Sequence, residues 1–491
     1  MEESKPKDTA SAKRPESSRT VAASETDTTR PKDAGPDSSR PGEPEDTEVN
    51  ETIPVHVHKP AGASSSPDNG DIPDVSHDEE MKQMTSELAS LHIKELVRLM
   101  EEPNRITPQS ETGHKTEQMD IYCKLGDLHM YKLHEPKASY SFYKEMLLLA
   151  IELGTKYMEG LAYNRLGLTC FEMEDDEAAL DWHQKHLRVN QDEGDEMEVI
   201  TAHMNVGSTY GRLGNIDQAT SHFNTALQMA QQTGDQHGEM MVYLCMGDMQ
   251  RKQLQSPRTA IQYYEQHLAL ARQLGDRYKE GLGYDRLGQA HHDIGEYEVA
   301  LEWYQKFLKT SQERKDKKDQ VTAHISVGNA YRLLGKVERA TSHFNTALQM
   351  AQQTEDQRGQ MRVYFSMGDL QKEQLHSPRT SIQYYEQHLT LARQLGDRRE
   401  EGTAYNRLGR AHYDMGEYEA ALEWDQKNLK IRQESGDKAN LLITHKNMAN
   451  SYKALGKPDL ARSHYQSAMT IAMETGNKQE QDDIEKGLAG L

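Results

Sequence analysis

In residues 317–356, KKDQVTAHISVGNAYRLLGKVERATSHFNTALQMAQQTED, apolar positions recur at spacings of three, four and seven, in two runs parted by a short turn. The first run sets Ala323, Val327, Ala330 and Tyr331 on one stripe; the second sets Ala340, Phe344, Ala347, Leu348 and Ala351 on another. Spacings of that kind predict two amphipathic helices, each with one face to bury. The pattern recurs through residues 116–477 in units near 116–155, 156–195, 196–235, 236–276, 277–316, 317–356, 357–397, 398–437 and 438–477. A longer period overlies it. Trp182, Trp303 and Trp424 are 121 residues apart and open the near-copies DWHQKHL, EWYQKFL and EWDQKNL. Gly126, Gly247 and Gly368 keep that spacing, as do Gly167, Gly288 and Gly409, so the region reads as three blocks of 121 residues, each divided into units of 41, 40 and 40. A unit this short cannot bury its apolar face alone and must stack on its neighbours. The predicted fold is an all-α solenoid of nine helix–turn–helix repeats.

Small residues mark where the paired helices meet. Counting each unit so that its small residue is position eight, that site is Gly in eight copies and Ala449 in the ninth. Ala179, Ala219, Ala260, Ala300, Ala340, Ala421 and Ala461 recur on the second helix and are expected to face it, since a larger side chain at either site would overpack the pair. Five units turn at Gly214, Gly295, Gly335, Gly416 and Gly456. In two others Ser256-Pro257 and Ser377-Pro378 stand there, predicting a serine N-cap ahead of a first-turn proline. At the unit ends, pairs such as Gly194-Asp195 and Gly436-Asp437 predict a glycine closing one helix and an aspartate capping the next.

Outside the array the composition changes. Residues 1–77 hold ten of the sixteen prolines and few apolar residues, which predicts a disordered acidic tail. His56 and His58 in VHVHK are read as tail residues, not metal ligands, and Ser66-Pro67 as a weak phosphorylation candidate. A capping box at Ser76 and Glu79 opens an amphipathic helix over 78–101, with Met81, Met84, Leu88, Leu91, Leu96 and Leu99 along it and Pro103 beyond. Capping of the first repeat is its expected role. A polar linker is predicted over 102–115 and a short closing helix over 478–491.

Composition narrows the function. A formal charge of −21 disfavours general nucleic-acid binding, which needs a basic surface. No apolar run is long enough to span a bilayer and the first residues lack a signal-peptide core, so a cytoplasmic protein is expected. Cys123, Cys170 and Cys245 have no metal-ligand spacing and read as reduced thiols; no cofactor or metal is expected. His291-His292 is the most tempting catalytic pair, but no nucleophile, metal-protease, phosphate-loop or dinucleotide motif accompanies it, and an enzyme is not expected.

Position eight small, eleven Tyr, twenty Ala, twenty-four aromatic and twenty-seven Ala resembles the tetratricopeptide repeat. Gly207, Tyr210, Ala219, Phe223 and Ala226 carry the pattern, as do Gly328, Tyr331, Ala340, Phe344 and Ala347. The stretch EEGTAYNRLGRAHYDMGEYEAALEWDQKNLKIRQESGD (400–437) is similar to the 40-residue variant found in the Pins/LGN group of G-protein signalling modulators. The resemblance covers residues 116–477 and implies a right-handed superhelix whose first helices line a concave, peptide-binding surface. That group carries GoLoco motifs after its repeats; none precedes Leu491, so direct regulation of a Gα subunit is not expected.

On the surface so implied, position six reads Lys124, Arg165, Asn205, Cys245, Arg286, Ser326, Ser366, Arg407, Asn447, and position twelve includes Arg251, Arg332, Lys372 and Lys453. Neither row contains an Asp or Glu in a chain with 79 acids and 58 bases. Position nine supplies Asp127, Asp248 and Asp369, so the groove is mixed. The candidate peptide-binding residues are therefore Arg165, Asn205, Arg251, Arg286, Arg332, Lys372, Arg407, Asn447 and Lys453, and the expected partner is a protein segment with acidic or phosphorylated side chains. Asn164, Asn205, Asn406 and Asn447 are candidates for a ligand backbone, while Arg407, Lys446 and Asn447 only loosely resemble a carboxylate clamp. Self-association as a structural scaffold is the competing expectation.

Overall fold

The computed structural model describes residues 108–131, 133 and 135–491, and among them all regular structure is helical. Nineteen helices follow one another. They are α1 Pro108–Tyr131, α2 Pro136–Leu153, α3 Lys156–Glu172, α4 Asp176–Glu193, α5 Glu196–Arg212 and α6 Ile216–Thr233. Next come α7 Gln236–Lys252, α8 Pro257–Leu274, α9 Arg277–Asp293, α10 Tyr297–Arg314, α11 Lys317–Leu333 and α12 Val337–Gln353. The last are α13 Gln357–Glu373, α14 Pro378–Gln394, α15 Arg398–Asp414, α16 Tyr418–Ser435, α17 Lys438–Ala454, α18 Pro458–Glu474 and α19 Lys478–Ala489. Each odd helix packs on the even helix that follows, and each even helix packs on the next odd one, giving an all-α helical repeat solenoid. Odd helices also touch one another directly, as α5 with α7 and α11 with α13. The expected tail, the 78–101 helix and residues 102–107 of the linker lie outside the described residues. Residues 108–115, expected to be linker, begin α1 instead; Pro108 suits a first helical turn.

The paired helices close on rings. A Cβ added to Gly247 would stand 2.5 Å from Cε1 of Tyr264, and one added to Gly288 would stand 2.5 Å from Cε1 of Tyr304. Gly207 faces Phe223 and Gly328 faces Phe344 in the same way. Glycine at position eight is thus required by the ring sixteen or seventeen residues on, in addition to the alanine that the sequence suggested: the backbone oxygen of Ala219 lies 3.2 Å from a Cβ added to Gly207. In the ninth unit, where Ala449 replaces the glycine, Gly487 of α19 lies under the ring: a Cβ there would be 2.7 Å from Cζ of Tyr465.

A second aromatic layer pins the same pairs. Trp182, Trp303 and Trp424 stack on Tyr163, Tyr284 and Tyr405 with centroids 5.8, 5.8 and 5.7 Å apart. Lys185, Lys306 and Lys427 lie 4.2, 3.8 and 3.9 Å from the indole centroids, so the tryptophans serve packing. The equivalent layer elsewhere holds the histidine pairs His203–His222, His324–His343 and His445–His464, each with Nδ1 atoms 2.9 Å apart.

Local chemistry sets the helix ends. Gly194 takes a left-handed φ of 75° after α4, and the Asp195 carboxylate accepts from the Glu198 amide to start α5. The serine turns depart from expectation. Ser256 and Ser377 hold the N-cap positions, but their hydroxyls donate to the carbonyls of Leu254 and Leu375 and leave the helix amides alone. Lys315 occupies a left-handed site with φ 57°, where a side chain costs about 1 kcal/mol relative to glycine. Lys315→Gly is therefore expected to stabilise α10 and α11 by about 1 kcal/mol, measured as slower amide hydrogen exchange in those helices.

Candidate functional site

The faces of the odd helices carry the sequence-selected rows. Position-six arginines do not stand free. Arg165, Arg286 and Arg407 place Nε 3.3, 3.2 and 3.2 Å from Oδ1 of Asp127, Asp248 and Asp369 on the preceding odd helix. Those aspartates also accept from Tyr143, Tyr264 and Tyr385 of the intervening even helix, at 2.6, 2.7 and 2.7 Å. One carboxylate thus ties three helices together at each 121-residue step. Burial alone would raise the Asp248 carboxyl, but Arg286 and Lys252 outweigh it and hold it below the usual range. The arginine approaches are ionic contacts without aligned hydrogen bonds. Arg407 makes no hydrogen bond among the described residues, and its guanidinium lies 5.0 Å from the Phe365 ring centroid.

Position twelve is paired as well. Arg251 Nη1 meets Asp293 at 2.9 Å and Lys372 Nζ meets Asp414 at 3.2 Å, again one unit along. Arg332 is buried against Glu373. Asn205 donates to Asn164 across adjacent odd helices at 3.0 Å. Lys446, of the loosely clamp-like set, is taken by Glu480 of α19. Lys453 is exposed and has no ion-pair partner among the described residues. Of the nine selected residues six are neutralised in ladders between neighbouring units, yet neighbouring cations still feel one another: burial first, then Arg410 and Arg407, push the Lys372 ammonium down. Asp293, Glu373 and Asp414 were not recognised from sequence, although Asp293 and Asp414 keep the same 121-residue register as Arg251 and Lys372.

Where those ladders lapse, the surface is hollow. In α5 positions six, nine and twelve are Asn205, Ser208 and Gly211, all neutral and small. A cavity of about 490 Å³ opens there, with Leu168, Phe171, Leu244 and Met249 among its apolar walls and Asn205, Ser208, Arg212, Asp248 and Lys252 among its polar and charged ones. Arg399 of α15 reaches its rim, with Nη1 3.7 Å from Oε1 of Glu174. A second, much smaller hollow lies further along between α15, α16 and α17, lined by Gly409, Arg410, Tyr413, Asp425, Asn447, Asn450 and Ser451. Asp425 occupies position twenty-four, where the other units carry Tyr, Phe or His. Its carboxyl is 1% exposed and has no hydrogen-bond partner among the described residues, and burial alone pushes it up to about 7.

The tempting histidine is accounted for: His291 Nδ1 lies 2.7 Å from Glu296, as His412 does from Glu417. Among the described residues no cluster of three metal-ligating side chains exists, and no helix is long and apolar enough to cross a membrane.

Residues 198–273, 319–394 and 400–474 match one tetratricopeptide repeat family and residues 284–318 a second of the same description, together more than half of the chain. Human G-protein-signaling modulator 1 is 30% identical over 36% of this chain; the chain spans 28% of that relative's length. Among solved structures, the apo quorum sensor NprR of B. thuringiensis is 14% identical with a TM-score of 0.48, covering 72% of this chain and 99% of that one. A Rap protein complexed with competence and sporulation factor is 15% identical with a TM-score of 0.46 over 72% and 99%.

Proposed function

The chain belongs to the tetratricopeptide-repeat family, whose arrays bind proteins and peptides, and from that premise we propose that it is a protein–protein adaptor. The nine helix pairs α1 to α18 are read as repeats in three 121-residue blocks over 116–477, wound as a right-handed superhelix and closed by 478–491. A ligand segment, extended or helical, runs along the odd-helix face.

The observation that supports this reading most is the cavity beside the neutral Asn205, Ser208 and Gly211, whose walls set apolar Leu168, Phe171, Leu244 and Met249 next to the charged Arg212, Asp248 and Lys252. Such a hollow suits a buried anchor side chain with polar contacts beside it. Acidic ligand side chains engage Arg165, Arg286 and Arg407 through the guanidinium donors left over from their aspartates; Arg407 has the most to offer, since Arg286 Nη1 already donates to Asp285 and Arg165 Nη1 to Tyr131. Because these cations arrive already paired, ligand charge adjusts selectivity while the hollow supplies affinity. Arg251, Arg332 and Lys372 engage a ligand only by exchanging one carboxylate for another, and Asn205, Asn447 and Lys453 complete the proposed contact row.

Two measurements test this. A photo-crosslinking residue at Ser326, on the odd-helix face, should trap one linear segment of a captured protein; the same residue at exposed Ser342 of α12 should not. Arg286→Gln with Arg407→Gln should weaken that capture about tenfold, as loss of charge-assisted contacts implies, with helical content unchanged. Crosslinks confined to the Ser342 position, or capture indifferent to both arginines, would move the interface elsewhere.

Self-association remains a second reading, favoured by exposed Leu148, Ile151, Tyr157 and Met197 on α2 to α5. Sedimentation across a concentration series separates the two, since a monomer at every concentration removes the scaffold.

A further inference from the structure

The substitution at position twenty-four leaves an acidic hole in the proposed groove. In the block before, this place is filled by Tyr304, whose ring packs under Gly288. Asp425 is smaller than that ring, and the space left is about 10 Å³, the room one water-sized group takes. Two groups in it lack hydrogen-bond partners among the described residues. Asp425 and Ser451 are each 1% exposed, and neither the carboxyl Oδ1 nor the hydroxyl Oγ has a hydrogen bond. Buried polar atoms are nearly always paired, so two acceptors in one small hollow are poised to take a donor.

Above pH 7, where Asp425 is charged, the occupant that suits it best is a donor and a cation. Oxygens of Asp425 and Ser451 accept, and Asn447, at position six, offers a third acceptor at the rim. A water satisfies lone pairs but supplies no charge to a carboxylate that has none beside it. The other charged and titratable groups lining the hollow are Arg410 and Tyr413, both from α15. Arg410 is turned away: its Nε donates to Asp414 at 3.2 Å, and it is no counter-ion to Asp425. α16 contributes Asp425, and α17 contributes the neutral Asn447, Asn450 and Ser451, with Asn450 accepting from Tyr465.

We propose that this hollow seats the primary ammonium of a ligand lysine, with Asp425 as its buried counter-ion and Ser451 and Asn447 as further acceptors. Three N–H donors meet three acceptors, and an ammonium has the size of the water-sized space, whereas a planar guanidinium does not fit it. The site deepens the adaptor reading, on which the lysine's place within a groove peptide rests. Seating the ammonium drives the carboxyl to its charged form, so a proton leaves as the ligand arrives and binding strengthens with rising pH.

The test needs no peptide. The full chain at pH 8 is given n-butylammonium chloride or, at equal ionic strength, tetramethylammonium chloride, which has no N–H. Amide hydrogen exchange is followed in residues 409–413 and 447–451. At a butylammonium concentration twice its Kd, exchange should slow about threefold. The effect should fade at pH 5.5 and vanish in Asp425→Asn, which keeps the shape, and in Asp425→Tyr, which refills the space. Equal effects of both salts, no slowing at all (water only), or protection that survives Asp425→Asn would overturn the proposal. If peptide capture fails while butylammonium protection remains, the adaptor reading falls and the subsite stands. If captured peptides bind equally with lysine replaced by norleucine, the ammonium site is not used by them and the proposal falls alone.

Discussion

Gly247→Leu is expected to destabilise the α7–α8 pair by about 3 kcal/mol, near the upper end of the usual cost of overpacking. Two effects oppose each other at this site. Glycine inside a helix is worse than alanine by about 1 kcal/mol, so adding a side chain should help the isolated helix. Against that, even a Cβ would lie 2.5 Å from the Tyr264 ring, which is fully buried and anchored through its hydroxyl to Asp248. The ring cannot swing aside without breaking the carboxylate that also holds Arg286. Sterics therefore win, and Gly247→Ala should already be destabilising. Ala449→Gly is the control: it removes a fully buried side chain where none is in conflict and should cost the propensity term, about 1 kcal/mol, plus about 1 kcal/mol for the lost methyl. Hydrogen exchange in α7 and α8 against α17 and α18 separates these outcomes. A Gly247→Ala chain more protected than wild type would mean that the ring gives way.

Asp425 should make the stability of α15 to α18 depend on pH in a direction unusual for a carboxylate. Its folded value is about 7 against an ordinary 3.8, so between these the folded state holds a proton that the unfolded state has lost. Stability accordingly falls as pH rises from about 4 to about 7, then levels. A shift of about three pH units corresponds to roughly 4 kcal/mol. Asp425→Asn cannot ionise. It should match wild type near pH 4, lack the decline, and exceed wild type at pH 8. Amide exchange of α15 to α18 across that range measures the difference, and parallel profiles would show that the carboxyl already has a counter-charge.

Much of the fold was legible because the apolar spacing is dense and repeated. Ala323, Val327 and Ala330 are all fully buried, as their stripe required. The glycine of position eight was legible as a close approach to the alanine helix, but the ring that shares the gap was not: spacing shows that two helices meet and does not show which side chain fills the space between them. The Ser256 and Ser377 turns failed for a related reason, since a serine at an N-cap position has a competing carbonyl two residues back. The candidate site was legible only in part. Its cations stand where the rows placed them, yet each row was read along one position and the acids that neutralise it sit in other positions 38 to 42 residues away. Asp425 carried a signal in plain sight, a carboxylate in a column otherwise of Tyr, Phe and His. It gains meaning only when that column is known to be buried.

The ion ladders bear on how such a chain can change its length. Asp127 meets Arg165, Asp248 meets Arg286, and Asp369 meets Arg407, three equivalent joints at one register. Excising residues 156–276 would bring Arg286 to the place of Arg165, facing Asp127 across an unaltered seam. Duplicating the same stretch would add a joint of the same kind. Unequal recombination between the near-copies can therefore shorten or lengthen the molecule in whole blocks without inventing an interface, while a cut that removes only one member of a pair, such as residues 156–195 with Arg165, leaves an aspartate stranded.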